Sequence, residues 1–138
     1  MRLLKIIFFL VLISSNALAG TNYFNEGLAL YKNKEFDRAK FKFEQDIVFN
    51  PKNEKSYLYL SKIFNKKEKK ELEEKNLNTV ILLNPKNEEA TYNLAQLKLK
   101  ESDFEGSKQL IEKLLMFCKN YCQKSQKLKI EIEKSLKK

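Results

Sequence analysis

The chain has 138 residues, with 27 Lys and Arg against 18 Asp and Glu and no His, which gives a formal net charge of +9. Hydrophobic residues make up 43%, too many for a disordered tail, and three Gly and two Pro are too few for a loop-rich β-sandwich. The length predicts a single domain, and the absence of His removes the commonest general base and the commonest metal ligand.

Residues 1–19 have the pattern of a secretory signal peptide. Arg2 and Lys5 form a basic start, residues 6–13 are an unbroken apolar run, and residues 17–19 read Ala-Leu-Ala, a small-x-small cleavage motif. The apolar run is too short to span a bilayer, which needs about 20 residues. The alternative interpretation is a retained N-terminal anchor.

We predict cleavage between Ala19 and Gly20. The mature chain, residues 20–138, then has a net charge of +7, because Arg2 and Lys5 are lost. The composition is rich in Lys, Asn and Ile, which is typical of AT-rich bacterial genomes. The predicted location is therefore the bacterial periplasm.

A period of 34 residues organises the rest of the chain. The string Asn-Pro-Lys-Asn-Glu occurs at 50–54 and again at 84–88. When the chain is aligned at this period, small residues share one column: Gly27, Ser61 and Ala95. Large apolar residues share another column: Phe43, Leu77 and Ile111. Such agreement indicates a structural repeat.

Each row predicts two helices, residues 23–33 and 37–49 in the first row, because apolar side chains recur with a helical period. Pro51 ends the second helix, since a proline disfavours helical backbone at the residue before it. Asn53 and Asn87 are predicted to cap the helices that follow.

These rows resemble the tetratricopeptide repeat (TPR), a helix-turn-helix unit of 34 residues. The resemblance covers residues 21–117 and rests on the family's pattern of an aromatic, Leu-Gly, a second aromatic, a small residue, a third aromatic and Pro. The matching residues are Tyr23, Gly27, Phe36, Ala39, Phe43 and Pro51 in row one, Tyr57, Leu60, Ser61, Phe64, Leu77 and Pro85 in row two, and Leu94, Ala95, Phe104, Ser107 and Ile111 in row three.

The resemblance implies an all-α fold, an α-solenoid of three helix-turn-helix hairpins followed by a C-terminal capping helix. The domain would be residues 20–138, with repeats at about 21–53, 54–87 and 88–119 and the capping helix at about 121–137.

Three acidic residues depart from the family's pattern. Glu26 stands where the family has Leu, and Asp46 stands where it usually has Ala. Glu73 replaces a small buried residue, and the turn at 65–70 is highly charged. Row two is therefore predicted to have an altered inner turn or a shifted second helix.

The last helix has an apolar stripe at Tyr121, Ser125, Leu128, Ile132 and Leu136. A one-sided helix of this kind covers the apolar face that a stack of repeats leaves at its end. The alternative is a basic helix for a membrane surface or a partner, since residues 119–138 hold seven Lys and two Glu. The narrow stripe lacks Trp and Phe, so membrane contact is weakly supported.

No catalytic pattern is present in the sequence. A Ser nucleophile has no His base, two Cys are too few for a zinc set, and no Gly-rich phosphate-binding motif occurs. We predict that the chain is not an enzyme and binds neither a metal nor a cofactor.

Cys118 and Cys122 form the one redox feature. Two Cys in an exported chain indicate a disulfide, with buried free thiols as the alternative. The bridge requires the helix to end near residues 119–120, because an intact helix holds Cα atoms four residues apart near the upper limit for a disulfide.

The resemblance further implies that a peptide binds on the concave face, which the first helix of each hairpin forms. The residues carried over to that face are Phe24, Leu28, Tyr31, Lys32, Lys55, Leu58, Lys62, Asn65, Tyr92, Gln96, Leu99 and Lys100. Chaperone-binding members hold a C-terminal carboxylate with a Lys/Asn clamp. Phe24 and Leu28 stand where its first Lys and Asn would be, so that subtype is excluded.

Two functions follow as hypotheses. The first is a non-enzymatic adaptor or scaffold of the bacterial cell envelope that binds a protein or peptide. The second is a structural envelope protein whose basic surface binds anionic polymer or lipid headgroups. Nucleic acid is not an expected partner, because Lys is spread along the chain without an Arg cluster.

Overall fold

The structure is a computed structural model and describes residues 19–137. The predicted signal peptide lies outside the described residues, apart from Ala19. Within residues 19–137 there are seven α-helices and no strand: α1 Ala19–Lys32, α2 Phe36–Phe49, α3 Glu54–Lys66, α4 Lys70–Leu83, α5 Glu88–Lys100, α6 Phe104–Leu115 and α7 Cys122–Leu136.

The described residues form two compact units, one that ends at Ser56 and one that begins at Tyr57. In the first unit, α1 packs on α2 around Phe43, which is fully buried beside Ala39. Gly27 lies against the Phe43 ring, since a Cβ placed on Gly27 would be 2.8 Å from Phe43 Cε1. The helices of this hairpin approach closely because Gly27 has no side chain.

The second unit has two apolar clusters, and half-buried Leu110 packs against both. One cluster joins α3, α4 and α5 through Leu58, Leu77, Val80, Ala90, Leu94 and Leu97. The other joins α5, α6 and α7 through Ala95, Ile111, Leu114, Leu128 and Ile132. Helix α7 therefore buries Leu128 and Ile132 of its apolar stripe on the last hairpin, as a capping helix does, while Leu136 at its end stays exposed.

The three inner turns share one backbone conformation. Lys34, Glu68 and Ser102 each have a positive φ, 64°, 55° and 62° respectively, and they lie one repeat apart. The prediction of an altered inner turn or a shifted second helix in row two is therefore wrong. Helix α4 begins at Lys70, one repeat after Phe36.

A polar pair explains why Glu73 leaves the row-two hairpin intact. The side-chain amide of Asn65 in α3 donates a hydrogen bond to Glu73 Oε1 over 2.9 Å. Glu73 is buried, but its carboxylate has a partner. The Asn65–Glu73 pair occupies a place that small residues fill in the other rows, Ala39 and Ser107.

Candidate functional site

A cavity of about 340 Å³ lies beside α5 and α7 in the second unit. Gln96, Leu99 and Lys100 contribute to its wall from one face of α5, because residues three and four apart share a helix face. The remaining lining residues are Phe104, Leu128, Glu131 and Ser135. Three residues predicted for the concave face therefore meet at one cavity.

The lining of this cavity combines an apolar part with polar groups. Leu99, Phe104 and Leu128 supply the apolar contact surface, and Leu99 and Leu128 also belong to the core around α6 and α7. Gln96 offers an amide that both donates and accepts hydrogen bonds, while Lys100 offers an exposed ammonium. Such a mixture suits a peptide with an apolar side chain.

Tyr92, also predicted for the concave face, packs inside the second unit. Its ring centroid lies 5.4 Å from that of Tyr121, which precedes α7. Burial raises the pKa of the Tyr92 hydroxyl, and the nearby charge of Glu131 raises it further. Tyr92 thus links α5 to the start of the capping helix.

Leu58, predicted for the concave face, is only 8% exposed. Little of this side chain is accessible to a partner, and its partner-binding role stays a prediction. Leu58 packs in the cluster with Leu77 and Leu94, because the following hairpin covers this side of α3. A single row of the alignment does not show which neighbour covers a side chain.

Two polar residues of α3, Lys62 and Asn65, have partners inside the second unit. Lys62 forms an ion pair with Glu89 at 2.8 Å and lies 4.7 Å from the ring centroid of Tyr59. The Asn65 amide binds Glu73. A ligand bound to Lys62 or Asn65 would have to compete with these contacts. In the absence of a ligand, both side chains stabilise the packing of α3 against its neighbours.

Glu73 carries a perturbed carboxyl. Burial raises its pKa, the Asn65 hydrogen bond and the charge of Lys100 oppose that rise, and Glu101 adds to it. The net result is a pKa above the usual value for Glu. Lys100 therefore acts on a buried carboxylate while its side chain also lines the cavity.

The first unit has a separate cavity of about 670 Å³, which Phe24 lines together with Phe49 and the turn that follows α2. The Phe24 ring lies 5.8 Å from that of Phe43, so Phe24 also touches the hairpin core. Leu28 is half-buried, and Tyr31 packs edge-on against Phe36 at 5.4 Å. Exposed Lys32 ends α1, and exposed Lys55 lies in the first turn of α3.

A buried polar network near this cavity was missed by sequence reasoning. The Asp46 carboxylate is fully buried and accepts hydrogen bonds from Ser56 Oγ at 2.5 Å and Asn53 Nδ2 at 2.7 Å. Asn50 Nδ2 donates a third over 3.1 Å. Asp46 itself could have indicated this network. A buried carboxylate at a position that is apolar in the other rows needs hydrogen-bond donors close to it.

The chain between α6 and α7 is held by a disulfide and by one carboxylate. Cys118 and Cys122 are bonded, with Cα atoms 5.3 Å apart, and α6 has ended at Leu115, so the predicted disulfide is present. Glu88 accepts hydrogen bonds from the backbone N–H groups of residues 119, 120 and 121 over 2.9, 2.8 and 2.9 Å. Sequence reasoning gave no sign of this contact.

The pKa of Glu88 is below its usual value. Partial burial opposes ionisation, but three backbone hydrogen bonds and the charge of Lys119 outweigh it. Glu88 thereby fastens the start of α7 to the start of α5.

No family model and no curated protein matches the sequence. Solved structures do match. The first TPR domain of Spaghetti (RPAP3), bound to the HSP90 peptide SRMEEVD, superposes with a TM-score of 0.79 and 15% identity, over 89% of this chain and 97% of that one. The Sgt2 TPR domain from Aspergillus fumigatus gives a TM-score of 0.74 and 17% identity, over 88% and 84%.

A third structure, the TPR2B domain of yeast Sti1 in a complex with pHsp70, gives a TM-score of 0.76 and 11% identity, over 83% of this chain and 96% of that one. The chain has the TPR fold. The predicted class, an all-α solenoid of helical hairpins with a capping helix, is confirmed. In this TPR fold α5 is the first helix of the third hairpin, and Gln96 and Lys100 both lie on it.

The described part of this TPR chain shows neither a metal-binding group nor a spanning helix. Among residues 19–137, no three His, Cys, Asp or Glu side chains converge in a set that could hold a metal ion. Over the same residues, no helix has the length and apolar character needed to cross a membrane.

Proposed function

We propose that this chain is a non-enzymatic adaptor that binds a peptide or an extended protein segment through the concave face of its TPR fold. The observation that carries the proposal is the meeting of Gln96, Leu99 and Lys100 at one cavity beside α7. The RPAP3 and Sti1 domains, which share the fold, are described with an HSP90 peptide and with pHsp70. These complexes support peptide binding as the use of this face.

The cavity chemistry defines the ligand. An apolar side chain would pack on Leu99 and Phe104, and the Gln96 amide would hydrogen bond the peptide backbone. Lys100 would attract a carboxylate of the ligand. Because Phe24 and Leu28 occupy the clamp positions, a peptide ending in Glu-Glu-Val-Asp should not be the preferred ligand.

The adaptor is proposed to act in the bacterial periplasm after removal of residues 1–19. The N-terminal pattern is the basis, and the Cys118–Cys122 disulfide supports an oxidising compartment. N-terminal sequencing of the protein from the envelope fraction should begin at Gly20. An intact Met1 in that fraction would refute the cleavage.

A peptide selection tests the binding function. A library of random 12-residue peptides displayed on phage is selected against residues 20–138, and the selected peptides are measured by fluorescence anisotropy. The double variant Gln96→Ala/Lys100→Ala should bind them about tenfold more weakly, the loss expected for central contact residues. The peptide SRMEEVD should bind more weakly than the selected peptides.

A matched control uses the same residue types on exposed positions of α7 that do not line the cavity, Gln123→Ala/Lys127→Ala. This variant should bind the selected peptides like the unmodified protein. Equal losses in both double variants, or selected peptides insensitive to both, would contradict a binding site at the α5–α7 cavity.

A further inference from the structure

One apolar position is strongly exposed in every hairpin. Val48, Leu82 and Met116 lie one repeat apart at the end of α2, α4 and α6, and they are 75%, 81% and 80% exposed. In the same helices Phe43, Leu77 and Ile111 are fully buried. The repeat thus places a large apolar side chain in solvent at the same point three times.

Exposed lysines follow these apolar residues. Lys86 comes after Leu82 and Leu83, and Lys119 comes after Met116. Neither lysine forms an ion pair with a described residue. Two nearby acids are engaged elsewhere, since Glu89 pairs with Lys62 and Glu112 pairs with Lys129. Glu88 binds three backbone N–H groups and also interacts with the charge of Lys119, without forming an ion pair with it.

Hydrogen bonds bring these two segments to the same side of the second unit. Glu88, two residues after Lys86, accepts the backbone N–H of Lys119 at 2.9 Å. The turn after α4 and the junction after α6 therefore lie next to each other. We call this surface the basic-apolar edge; it consists of Leu82, Leu83, Lys86, Met116 and Lys119.

We propose that the basic-apolar edge docks the protein on an anionic phospholipid bilayer. Apolar side chains that extend from a surface enter the interfacial layer, while lysine ammonium groups bind lipid phosphates. The charge is complementary, since Lys86 and Lys119 are exposed and the mature chain carries +7. The cavity beside α5 and α7 is lined by none of these five residues, so a second surface is involved.

The first unit also has exposed apolar side chains followed by an exposed lysine. Val48 and Phe49, both exposed, are followed by exposed Lys52. This set is not part of the edge as defined above, but it repeats the chemistry at the matching position. Exposed apolar side chains followed by an exposed lysine thus occur where α2 ends and where α4 ends.

Vesicle flotation tests the proposal. Residues 20–138, which contain α2 to α7 and all of α1 except Ala19, are mixed with phosphatidylcholine vesicles containing 25% phosphatidylglycerol or none. We expect binding to the anionic vesicles only. Leu82→Ser/Met116→Ser and Lys86→Glu/Lys119→Glu should each weaken it at least tenfold, since each lysine near an anionic surface is worth about a factor of five.

Matched controls change the same residue types on α7. Ile130→Ser alters an apolar residue that is 53% exposed, and Lys127→Glu/Lys134→Glu reverses two exposed lysines. The controls should bind anionic vesicles within about twofold of the unmodified chain, as should Gln96→Ala/Lys100→Ala. Thermal unfolding checks that every variant remains folded. An edge variant that does not fold is replaced by the milder Leu82→Gln or Lys86→Gln.

Three results would overturn the proposal. The first is no binding to anionic vesicles. The second is equal loss in the edge variants and in the α7 controls, which would mean attraction by net charge alone. The third is unchanged vesicle binding with lost peptide binding in the edge variants, which would make the edge a protein interface. Failure of the peptide site would leave vesicle binding intact, so the two proposals fail separately.

Discussion

Ser56 donates a hydrogen bond to Asp46 over 2.5 Å, and both residues are fully buried. One repeat later, the corresponding residues are Val80 and Ala90, which pack in an apolar cluster. The same point of the repeat is thus filled by a polar pair in one case and by an apolar pair in the other. Each pair is compatible with burial, because a buried polar group needs a hydrogen-bond partner and a buried apolar group needs none.

This equivalence predicts a compensating double substitution. Asp46→Val should lower the free energy of unfolding by about 1–3 kcal/mol, because the hydroxyl of Ser56 loses its acceptor while buried. Asp46→Val/Ser56→Ala should regain at least half of that loss, since it reproduces the Val80–Ala90 pair. Urea denaturation followed by circular dichroism measures both. A double variant no more stable than Asp46→Val would show that Val cannot replace the network around Asn53.

A second prediction concerns the contact between Gly27 and Phe43. Gly27→Ala should lower the free energy of unfolding by about 1–3 kcal/mol, because the new Cβ overlaps the ring. This loss would occur although Ala favours a helix over Gly by about 1 kcal/mol. In the background Phe43→Leu, Gly27→Ala should cost less, since the smaller side chain leaves room. An equal cost of Gly27→Ala in both backgrounds, measured by thermal melts, would mean that the loss does not come from overlap with the Phe43 ring.

A third prediction follows from Glu88. Its folded-state pKa is lowered, so its contribution to stability is present above the usual carboxyl pKa and is lost as pH falls through the folded value. Glu88→Gln should therefore destabilise the protein at pH 7 and make little difference near pH 3. Urea midpoints at the two pH values measure this. Exposed Glu105→Gln is the control; a pH-independent effect at Glu88 would argue against a role of its charge.

Glu73 should show the opposite dependence. Its folded-state pKa is raised, so the folded protein binds the proton more tightly, and stability falls as pH rises from the usual carboxyl pKa through the raised one. Glu73→Gln keeps an acceptor for Asn65 and removes the charge. We expect a higher urea midpoint than the unmodified protein at pH 7 and an equal midpoint near pH 3. A lower midpoint at pH 7 would mean that attraction to Lys100 outweighs burial.

Much of the fold could be predicted from the sequence, because the structure of a repeat depends mainly on residues that are close together in the chain. The interval between Pro51 and Pro85 fixed the period, and the small and apolar columns identified Gly27, Phe43 and Ile111 as packing residues. The disulfide also followed from local spacing, since the helix ends before Cys118. The prediction of an altered row two is wrong because the sequence pattern does not show that Asn65, eight residues earlier on the facing helix, hydrogen bonds the buried Glu73.

The candidate site was predicted less well, because it depends on what covers each side chain. Leu58 and Gln96 are both on the first helix of a hairpin, and the resemblance predicts both for the concave face. Leu58 is buried by the hairpin that follows it, whereas Gln96 lines a cavity beside α7. Tyr92 is held by Tyr121 of the final junction.

The sequence by itself determined the hairpins and the apolar columns, because helix period, proline position and small residues act over a few neighbouring residues. Only the tertiary structure decided the partners of Asp46, Glu73 and Glu88. A buried carboxylate is stable only where donors from other segments reach it, and the pairing of Glu88 with backbone groups some thirty residues away leaves no local pattern in the chain.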